Sequence, residues 1–380
     1  MTYRTKSYVF YLRNLKNYLL MYRKYRLQFS LALAISCLIV SCSSSKQEGM
    51  KDISQLPTYQ VMGVKYNQDE IVSRHSWEFH RIGDNFFIFN GLPNSAALVV
   101  RMSDCHVLGE FMPKGMGPGE CNTPRYAGCS SEEDTIYMYD TFKYGVSEFV
   151  FPVQKEDTLR YGFVGAVRSL QEELHGPTCR LENGLFVGFR LNGTRHLFSL
   201  LDERMDTICT FGNLPIPVED DVLKSFMPFQ CVMTVEKNTI YYGCKSFPYM
   251  CAYEIKDRNS IELKFQHHYF PPVYTYHDGR FRFDGDKTMD GFYEVKINGD
   301  YIWTMIRDEY ISEVQKDPFV KGFCQSACLF NKKGEPLAKF KLPVRGNHFC
   351  FSKDGKQLFF HSVDSDIYVF QVDDFLKHIG

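Results

Sequence analysis

Two stretches decide the fold: Asp84-Asn85-Phe86-Phe87-Ile88-Phe89 and Asp134-Thr135-Ile136-Tyr137-Met138-Tyr139. In each, a polar turn opens a short run of β-branched and aromatic residues that suits a half-buried pleated strand. The unit returns at Asn183-Gly184-Leu185-Phe186-Val187-Gly188, Asn238-Thr239-Ile240-Tyr241-Tyr242, Asn298-Gly299-Asp300-Tyr301-Ile302-Trp303 and Asp354-Gly355-Lys356-Gln357-Leu358-Phe359-Phe360. Its first apolar residues fall at 86, 136, 185, 240, 301 and 358. A repeat of this length with several strands per unit marks a propeller or array. Six units fill the chain beyond residue 57, which predicts an all-β, six-bladed β-propeller over residues 57–380.

The strand order within a unit is also legible. Unit two reads as Pro124–Gly128 innermost, then Ile136–Tyr139, Val146–Phe149 and Thr158–Phe163 outermost; unit one as Trp77–Ile82, Phe86–Asn90, Ala97–Met102 and His106–Phe111. The last unit offers only His348–Ser352, Gln357–His361 and Asp366–Gln371 before the chain ends. The strand-like Thr58–Tyr66 has no other home, so it is expected to close the ring as the fourth strand of the last blade, removing exposed edges.

Composition excludes some functions. The chain has 380 residues, 44 Lys+Arg and 45 Asp+Glu. Seven basic residues and no acid lie in residues 1–42, leaving 37 basic against 45 acidic and a charge of −8 on the rest. A domain of that sign is not a general nucleic-acid binder. No stretch reaches the roughly 18 apolar residues that a spanning helix needs.

The N-terminus reads as an address. Leu27–Val40 has the length of a secretory h-region, with Lys and Arg on its N-terminal flank. It runs into Ile39-Val40-Ser41-Cys42, which resembles a bacterial lipobox. The resemblance implies cleavage after Ser41 and lipidation of Cys42, with Cys37 the weaker candidate, and several acyl chains hold a domain durably on a membrane. Met21 opens a complete signal by itself and is the expected true start. Ser43 fits outer-membrane sorting by the same resemblance, and residues 43–56 read as a flexible linker.

Eleven cysteines remain in the exported part, from Cys105 to Cys350. An odd number leaves at least one unpaired. Most sit in apolar runs, where a thiol behaves as a small buried hydrophobe; one or two disulfides are the alternative. Cys324 and Cys328, if on one strand, are too far apart to bridge.

One loop carries a family resemblance. Gly115-Met116-Gly117-Pro118-Gly119-Glu120-Cys121-Asn122-Thr123-Pro124, followed by Ile136–Asp140 and Val146–Phe149, is similar to an NHL repeat. Its GxGPGE form resembles the TolB-like six-bladed propeller lipoproteins of gut-type Gram-negative bacteria. Phe351-Ser352-Lys353-Asp354-Gly355-Lys356 resembles the TolB-type turn, with Lys353 where Pro is usual. The resemblance implies a fold and a location and carries no reaction. Physically, the glycines allow positive φ around Pro118 in a tight crossover between blades, with Glu120 accepting loop amide protons. A phosphate-binding loop is disfavoured because no GKS/T and no helix follow.

Candidate binding residues follow from the expected starts of the inner strands at the channel mouth: Arg74 and His75, Arg125, Arg180, Gln230, Met289 and Asp290, Arg345 and His348. Converging arginines would focus a positive field suited to a carboxylate or phosphate, such as that of an acidic sugar. The simpler expectation is that they pair with neighbouring carboxylates or face solvent. The insertion His267–Asp286 offers Tyr274, Tyr276 and His277 for stacking on sugar, or its histidines and aspartates for a metal; a packed aromatic lid is the plainer alternative. The charged loop Arg307–Gly322 reads as a solvated face with a short helix. No GxSxG elbow, HExxH or sialidase-type Asp box is present. Glu182, Glu236 and Asp290 are the obvious acids near inner strands. The sequence therefore favours a lipid-anchored ligand- or partner-binding protein without a cofactor, with a glycan or protein partner. A metal-dependent hydrolase or lyase using the channel is the alternative.

Overall fold

A computed structural model describes residues 52–67, 76–90, 92–151, 157–168, 175–190, 195–218, 229–277, 280–318 and 322–379. The signal and lipidation residues, Cys42 among them, and the linker through residue 51 lie outside the described residues, as do Arg74 and His75.

Among the described residues the chain is almost wholly strand. β1 (Thr58–Gln60) and β2 (Val64–Lys65) come first. Four antiparallel meanders follow. They are β3 (Ser76–Ile82), β4 (Asn85–Asn90), β5 (Ser95–Arg101) and β6 (Val107–Pro113); then β7 (Pro124–Cys129), β8 (Thr135–Asp140), β9 (Gly145–Val150) and β10 (Gly162–Arg168). Next come β11 (His175–Arg180), β12 (Phe186–Arg190), β13 (His196–Leu201) and β14 (Thr207–Asn213); then β15 (Cys231–Glu236), β16 (Thr239–Cys244), β17 (Tyr249–Asp257) and β18 (Ser260–His268). A hairpin of β19 (Tyr274–His277) and β20 (Arg280–Phe283) stands apart. The remaining strands are β21 (Phe292–Asn298), β22 (Tyr301–Ile306), β23 (Cys324–Asn331), β24 (Pro336–Phe351), β25 (Gln357–Ser362) and β26 (Ile367–Gln371), with short helices α1 (Ile311–Lys316) and α2 (Asp373–Leu376).

The arrangement is a β-propeller. Strands β3, β7, β11, β15, β21 and β24 each touch the next, and β24 returns to β3, so these strands form a closed cycle. Apolar layers fill the gaps between adjacent sheets. One joins Phe87 and Phe89 to Phe149 and Phe151, another joins Phe189 and Phe198 to Tyr242 and Tyr253, and a third joins Phe79 and Phe86 to Phe359 and Ile367. Aromatic rings dominate these layers and meet edge to face, as Phe111 does with Phe149 at 5.1 Å, which adds to the gain from burial.

Recurring polar turns are stitched to one another, between the third and fourth sheets or between parts of the large last sheet. Asn183 N–H donates to Asn238 Oδ1 at 3.0 Å, and Asn298 Nδ2 donates to the Gly355 carbonyl at 2.7 Å. Turn composition therefore repeats because each turn serves its neighbour as well as its own hairpin.

Four expectations need correction. The expectation of six separate sheets meets four four-stranded sheets and one of eight strands. The cause is β24, whose 16 residues run on without a turn, pairing with β23 through its first half and with β25 from Gly346 onward. The N-terminal strand is not continuous: β1 adds in parallel to β24 at Lys339–Lys341, whereas β2 pairs with β26 antiparallel. At the break, a Cβ on Gly63 would lie 2.4 Å from the Phe370 ring, so the chain crosses that ring as bare backbone. The outermost strand of the second sheet lies later than read, because Gly162–Arg168, not Thr158–Phe163, pairs along β9. Finally, the end of the expected linker is ordered: Ile53 and Leu56 are buried, and Asp52 caps the turn between them through Ser54 N–H at 2.8 Å.

The glycine-rich loop joins β6 to β7, an outer strand to the next inner strand, as its composition suggested. Gly115 (φ +153°) and Gly119 (φ +71°) hold backbone angles that side chains resist. Glu120 Oε2 accepts from Gly117 N–H at 2.7 Å, and Lys143 Nζ donates to the carbonyls of Gly117 and Glu120. Pro118 fixes the turn between the glycines, and the loop reads as structural.

All eleven cysteines from Cys105 to Cys350 are free thiols, seven of them buried. Cys324 and Cys328 do share one strand, β23.

Candidate functional site

The closed cycle of inner strands surrounds a cavity of about 890 Å3, and every strand of the cycle contributes to its wall. Side chains alternate faces along a strand, so residues two apart share a face. On β3 this sets Glu78 and His80 toward the cavity and buries Phe79 behind them. On β21 it pairs Glu294 with Lys296, with Val295 buried behind.

These four residues form most of a charged belt. Arg125 Nη1 lies 3.4 Å from Glu78 Oε1, and Tyr126 N–H donates to Glu78 Oε2 at 2.9 Å. His80 Nε2 lies 3.5 Å from the same carboxylate, while Lys296 Nζ donates to His80 Nδ1 at 3.2 Å. Lys296 also lies 3.6 Å from Glu294, whose Oε2 accepts from His348 Nδ1 at 2.7 Å. The belt thus runs from β7 through β3 and β21 to β24.

The belt fixes charge states. Burial opposes ionisation of Glu294, but the Lys296 charge and the His348 hydrogen bond outweigh it and hold the carboxyl at about 2. Burial likewise opposes the charge on Glu78, and its contacts with His80 and Arg125 still keep it below its ordinary value. Burial, helped by Lys296, depresses His80 to about 4, so its ring is neutral at physiological pH. A neutral ring accepting from Lys296 at Nδ1 carries its proton on Nε2, toward Glu78.

Two further cations of the cavity differ. Arg180 stacks its guanidinium 4.5 Å above the Tyr137 ring, and Lys245 Nζ lies 5.8 Å from the centre of Tyr293. Neither cation has a carboxylate within 4 Å among the described residues. Burial lowers the Lys245 pKa, and the charge of Arg125 pushes the same way. The wall as described carries five cationic side chains (Arg125, Arg180, Lys237, Lys245 and Lys296) against three carboxylates (Glu78, Glu182 and Glu294). The cavity is positive within a negative domain.

The expected site residues divide accordingly. Arg125, Arg180, His348 and Gln230 do line the one cavity. Arg345 does not: its Nη1 donates to the Phe323 carbonyl at 3.1 Å, tying β24 to the chain before β23. Asp290 is held by Arg307 at 2.7 Å and by the Tyr293 hydroxyl, and Met289 is buried, so neither is a wall residue. Glu236 pairs with Lys332, while Glu182 does reach the wall. The aromatic residues of the insertion are packed: Tyr274 lies 5.0 Å from Phe281, and Phe283 lies 5.5 Å from Phe247 in the turn between β16 and β17. Tyr276 is half-buried on the same hairpin, and the side chain of His277 falls outside the described residues. Among the described residues, no three His, Cys, Asp or Glu side chains converge as metal ligands would.

Glu78, His80, Lys245, Glu294 and Lys296 are not at strand starts and so carry no signal of that kind. The available signal was polar residues two apart around an apolar one, in Glu78-Phe79-His80 and Glu294-Val295-Lys296, on strands otherwise built for burial.

A β-propeller is a class of fold, and the comparisons speak to that fold alone. No protein-family model matches the chain, and no curated protein matches it. Among solved structures it is similar to a protein of Bacteroides fragilis described as exported, at 11% identity and a TM-score of 0.50, over 85% of this chain and 96% of that one. It is also similar to a member of the DUF4221 family from Bacteroides vulgatus, at 9% identity and a TM-score of 0.51, over 83% and 97%. At such identities the likeness is one of fold.

Proposed function

We propose that this chain is a lipid-anchored exported β-propeller of six blades that binds an anionic ligand in its channel without transforming it. The blade count rests on the cycle of six inner strands, with the eight-stranded sheet counted as two blades sharing β24. Anchoring rests on the lipobox-like Ile39–Cys42 and outer-membrane sorting on Ser43; the exported description of one similar structure supports export alone. The likeness to TolB-like and NHL propellers rests on the Gly115–Glu120 loop.

The observation that carries the binding reading is the unequal cavity: Glu78 and Glu294 are engaged within the belt, and Arg180 and Lys245 have no carboxylate within 4 Å among the described residues. Convergent cations in a concave site raise the local concentration of anions. Partly exposed Trp77 lines the cavity, and Tyr126, Tyr137 and Tyr293, covered on one side by His80, Arg180 and Arg307 respectively, line it as well, so an acidic glycan with an apolar sugar face satisfies both features.

Calorimetric titration of neutral and acidic oligosaccharides tests the reading. Binding is expected for acidic glycans alone, weakened about tenfold or more by Arg125→Ala or Arg180→Ala, since a charge-assisted hydrogen bond contributes about 1.5–3 kcal/mol. Equal affinity of both variants for every anion that binds would refute it. Metabolic labelling with palmitate tests the anchor: label is expected on the native chain and absent from Cys42→Ser.

A further inference from the structure

Lys245 sits one residue after β16, in the wall between the fourth sheet and β21, with its backbone pinned at both ends. Its N–H donates to the Gln230 carbonyl at 2.8 Å, and its carbonyl accepts from Gly291 N–H at 3.0 Å. A Cβ on Gly291 would lie 2.2 Å from the Cys244 carbonyl, so β21 approaches this segment as closely as backbone allows. The backbone that carries the ammonium is thus held in a rigid seat. The ammonium faces the cavity with no carboxylate or hydrogen-bond acceptor in direct contact among the described residues; Arg125, on the same cavity, adds a second positive charge, while Glu78 and Glu294 offset it only from farther off. Arg125 is only half engaged, with one 3.4 Å contact to a carboxylate that also serves Tyr126 N–H and His80.

Two like charges kept in an enclosed space oppose folding unless something repays them. Structural cations elsewhere in this chain are repaid: Arg81 by Glu133, Arg307 by Asp290 and Lys339 by Asp308. Lys245 has no such partner and Arg125 has only its 3.4 Å contact with Glu78, so an anion entering the cavity meets one cation unpaired and one loosely paired.

We infer that Lys245 and Arg125 form the anchor point of the channel and take the carboxylate of a sugar acid, with the ring of that sugar lying against Tyr293 or Tyr126. This deepens the proposed function and rests on it. A compact ammonium beside a guanidinium suits one carboxylate oxygen on each. Gln230 and the belt carboxylates supply polar partners for hydroxyls. Inorganic phosphate could use the same two cations but would leave the aromatic faces unused.

The test combines two readouts on the full-length protein and on Lys245→Met, which keeps the stem and removes the charge. The first is thermal melting without ligand: relief of an unrepaid charge is expected to raise Tm by about 2–4 °C. The second is the Tm increase and calorimetric affinity with galacturonate, its methyl ester and sodium phosphate. Galacturonate is expected to stabilise the native protein and to bind Lys245→Met at least tenfold more weakly, while the uncharged ester binds neither. Unchanged galacturonate affinity in Lys245→Met, with weakening in Arg180→Ala, overturns this inference and leaves the proposed function standing. Equal binding of ester and acid overturns both, as does the absence of binding by any anion. Phosphate binding with galacturonate inert keeps the cationic anchor and overturns the sugar acid. A lower Tm in Lys245→Met makes the lysine a structural residue and overturns the inference; Lys245→Gln provides a second variant should Met fail to fold.

Discussion

Arg81 and Glu133 form a bidentate ion pair, Nη1 to Oε2 at 2.8 Å and Nη2 to Oε1 at 2.5 Å, that joins the first sheet to the second. The same guanidinium donates through Nε to the Phe351 carbonyl at 3.0 Å at the end of β24, and through Nη1 to Gly83 at 2.8 Å. One side chain thus ties three sheets together at the point where the last inner strand meets the first.

Arg81→Ala should therefore cost about 2–3 kcal/mol, because it strands a largely buried carboxylate as well as removing several hydrogen bonds. Arg81→Lys should recover less than half of that, since an ammonium cannot reproduce the fork. Urea unfolding of the three proteins measures both differences; a lysine variant as stable as the native chain would show that charge alone matters.

The closing segment makes a second prediction. β1 covers the outer side of β24 and β2 covers β26, while the Tyr66 hydroxyl donates to the Met102 carbonyl at 2.8 Å and its ring meets Phe359. Deletion of residues 58–67 bares two strand edges at once, which invites edge pairing between molecules. Size-exclusion chromatography should show the deleted protein eluting as aggregate; a monomer with native Tm would mean the segment is dispensable.

Acid should unfold the protein in two overlapping stages. Burial, with a further push from nearby positive charge, holds His80 at about 4 and His361 at about 3 in the native state. The unfolded histidines take protons near pH 6.5, so stability falls as pH drops from 6.5 toward 3, with a slope of up to about 1.4 kcal/mol per pH unit for each proton taken up. Glu294, held at about 2 despite its burial by Lys296 and His348, works through a lower window. Its contribution is whole above pH 4.5 and is lost between 4.5 and 2. Denaturant midpoints measured from pH 8 to pH 3 should be flat above 7 and fall steadily below 6.5. In His80→Gln the slope between pH 6.5 and 4 should be visibly shallower, and an unaltered slope would remove His80 from the explanation.

The crossover loop yields a fourth test. A Cβ at Gly115 would lie 2.1 Å from Glu120 Oε2, and φ there is +153°. Gly115→Ala must displace the carboxylate from Gly117 N–H, at a cost of about 1–2 kcal/mol, while affinity for any channel ligand stays unchanged. A loss of ligand binding in Gly115→Ala without loss of stability would make the loop a binding element instead.

Much of the fold was legible because the physical signal repeats. Each turn before Phe86, Ile136, Leu185, Ile240, Tyr301 and Leu358 solves the same local problem, so the pattern survives in the sequence. β24 was not legible as one strand, since Pro343 and Gly346 look like punctuation yet lie within continuous extended backbone. The split of the closing segment depends on the Phe370 ring, about 300 residues away, which no local pattern reveals. Arg125, Arg180 and His348 were found in the cavity because positive residues opening an inner strand stand out. Lys245 was not, because it follows a strand in the largely apolar Ile240–Phe247 stretch instead of opening an inner strand. Arg345 was misplaced for the converse reason: it opens the inner half of β24, but a backbone carbonyl claims it first.

The most direct test of the account is a crystal structure of the protein grown with galacturonate. It should show the carboxylate between the Lys245 ammonium and the Arg125 guanidinium, inside the ring of inner strands, with the sugar face on tyrosine. Sugar bound on the outer surface beside an empty channel, or Lys245 paired with a protein carboxylate, would contradict it.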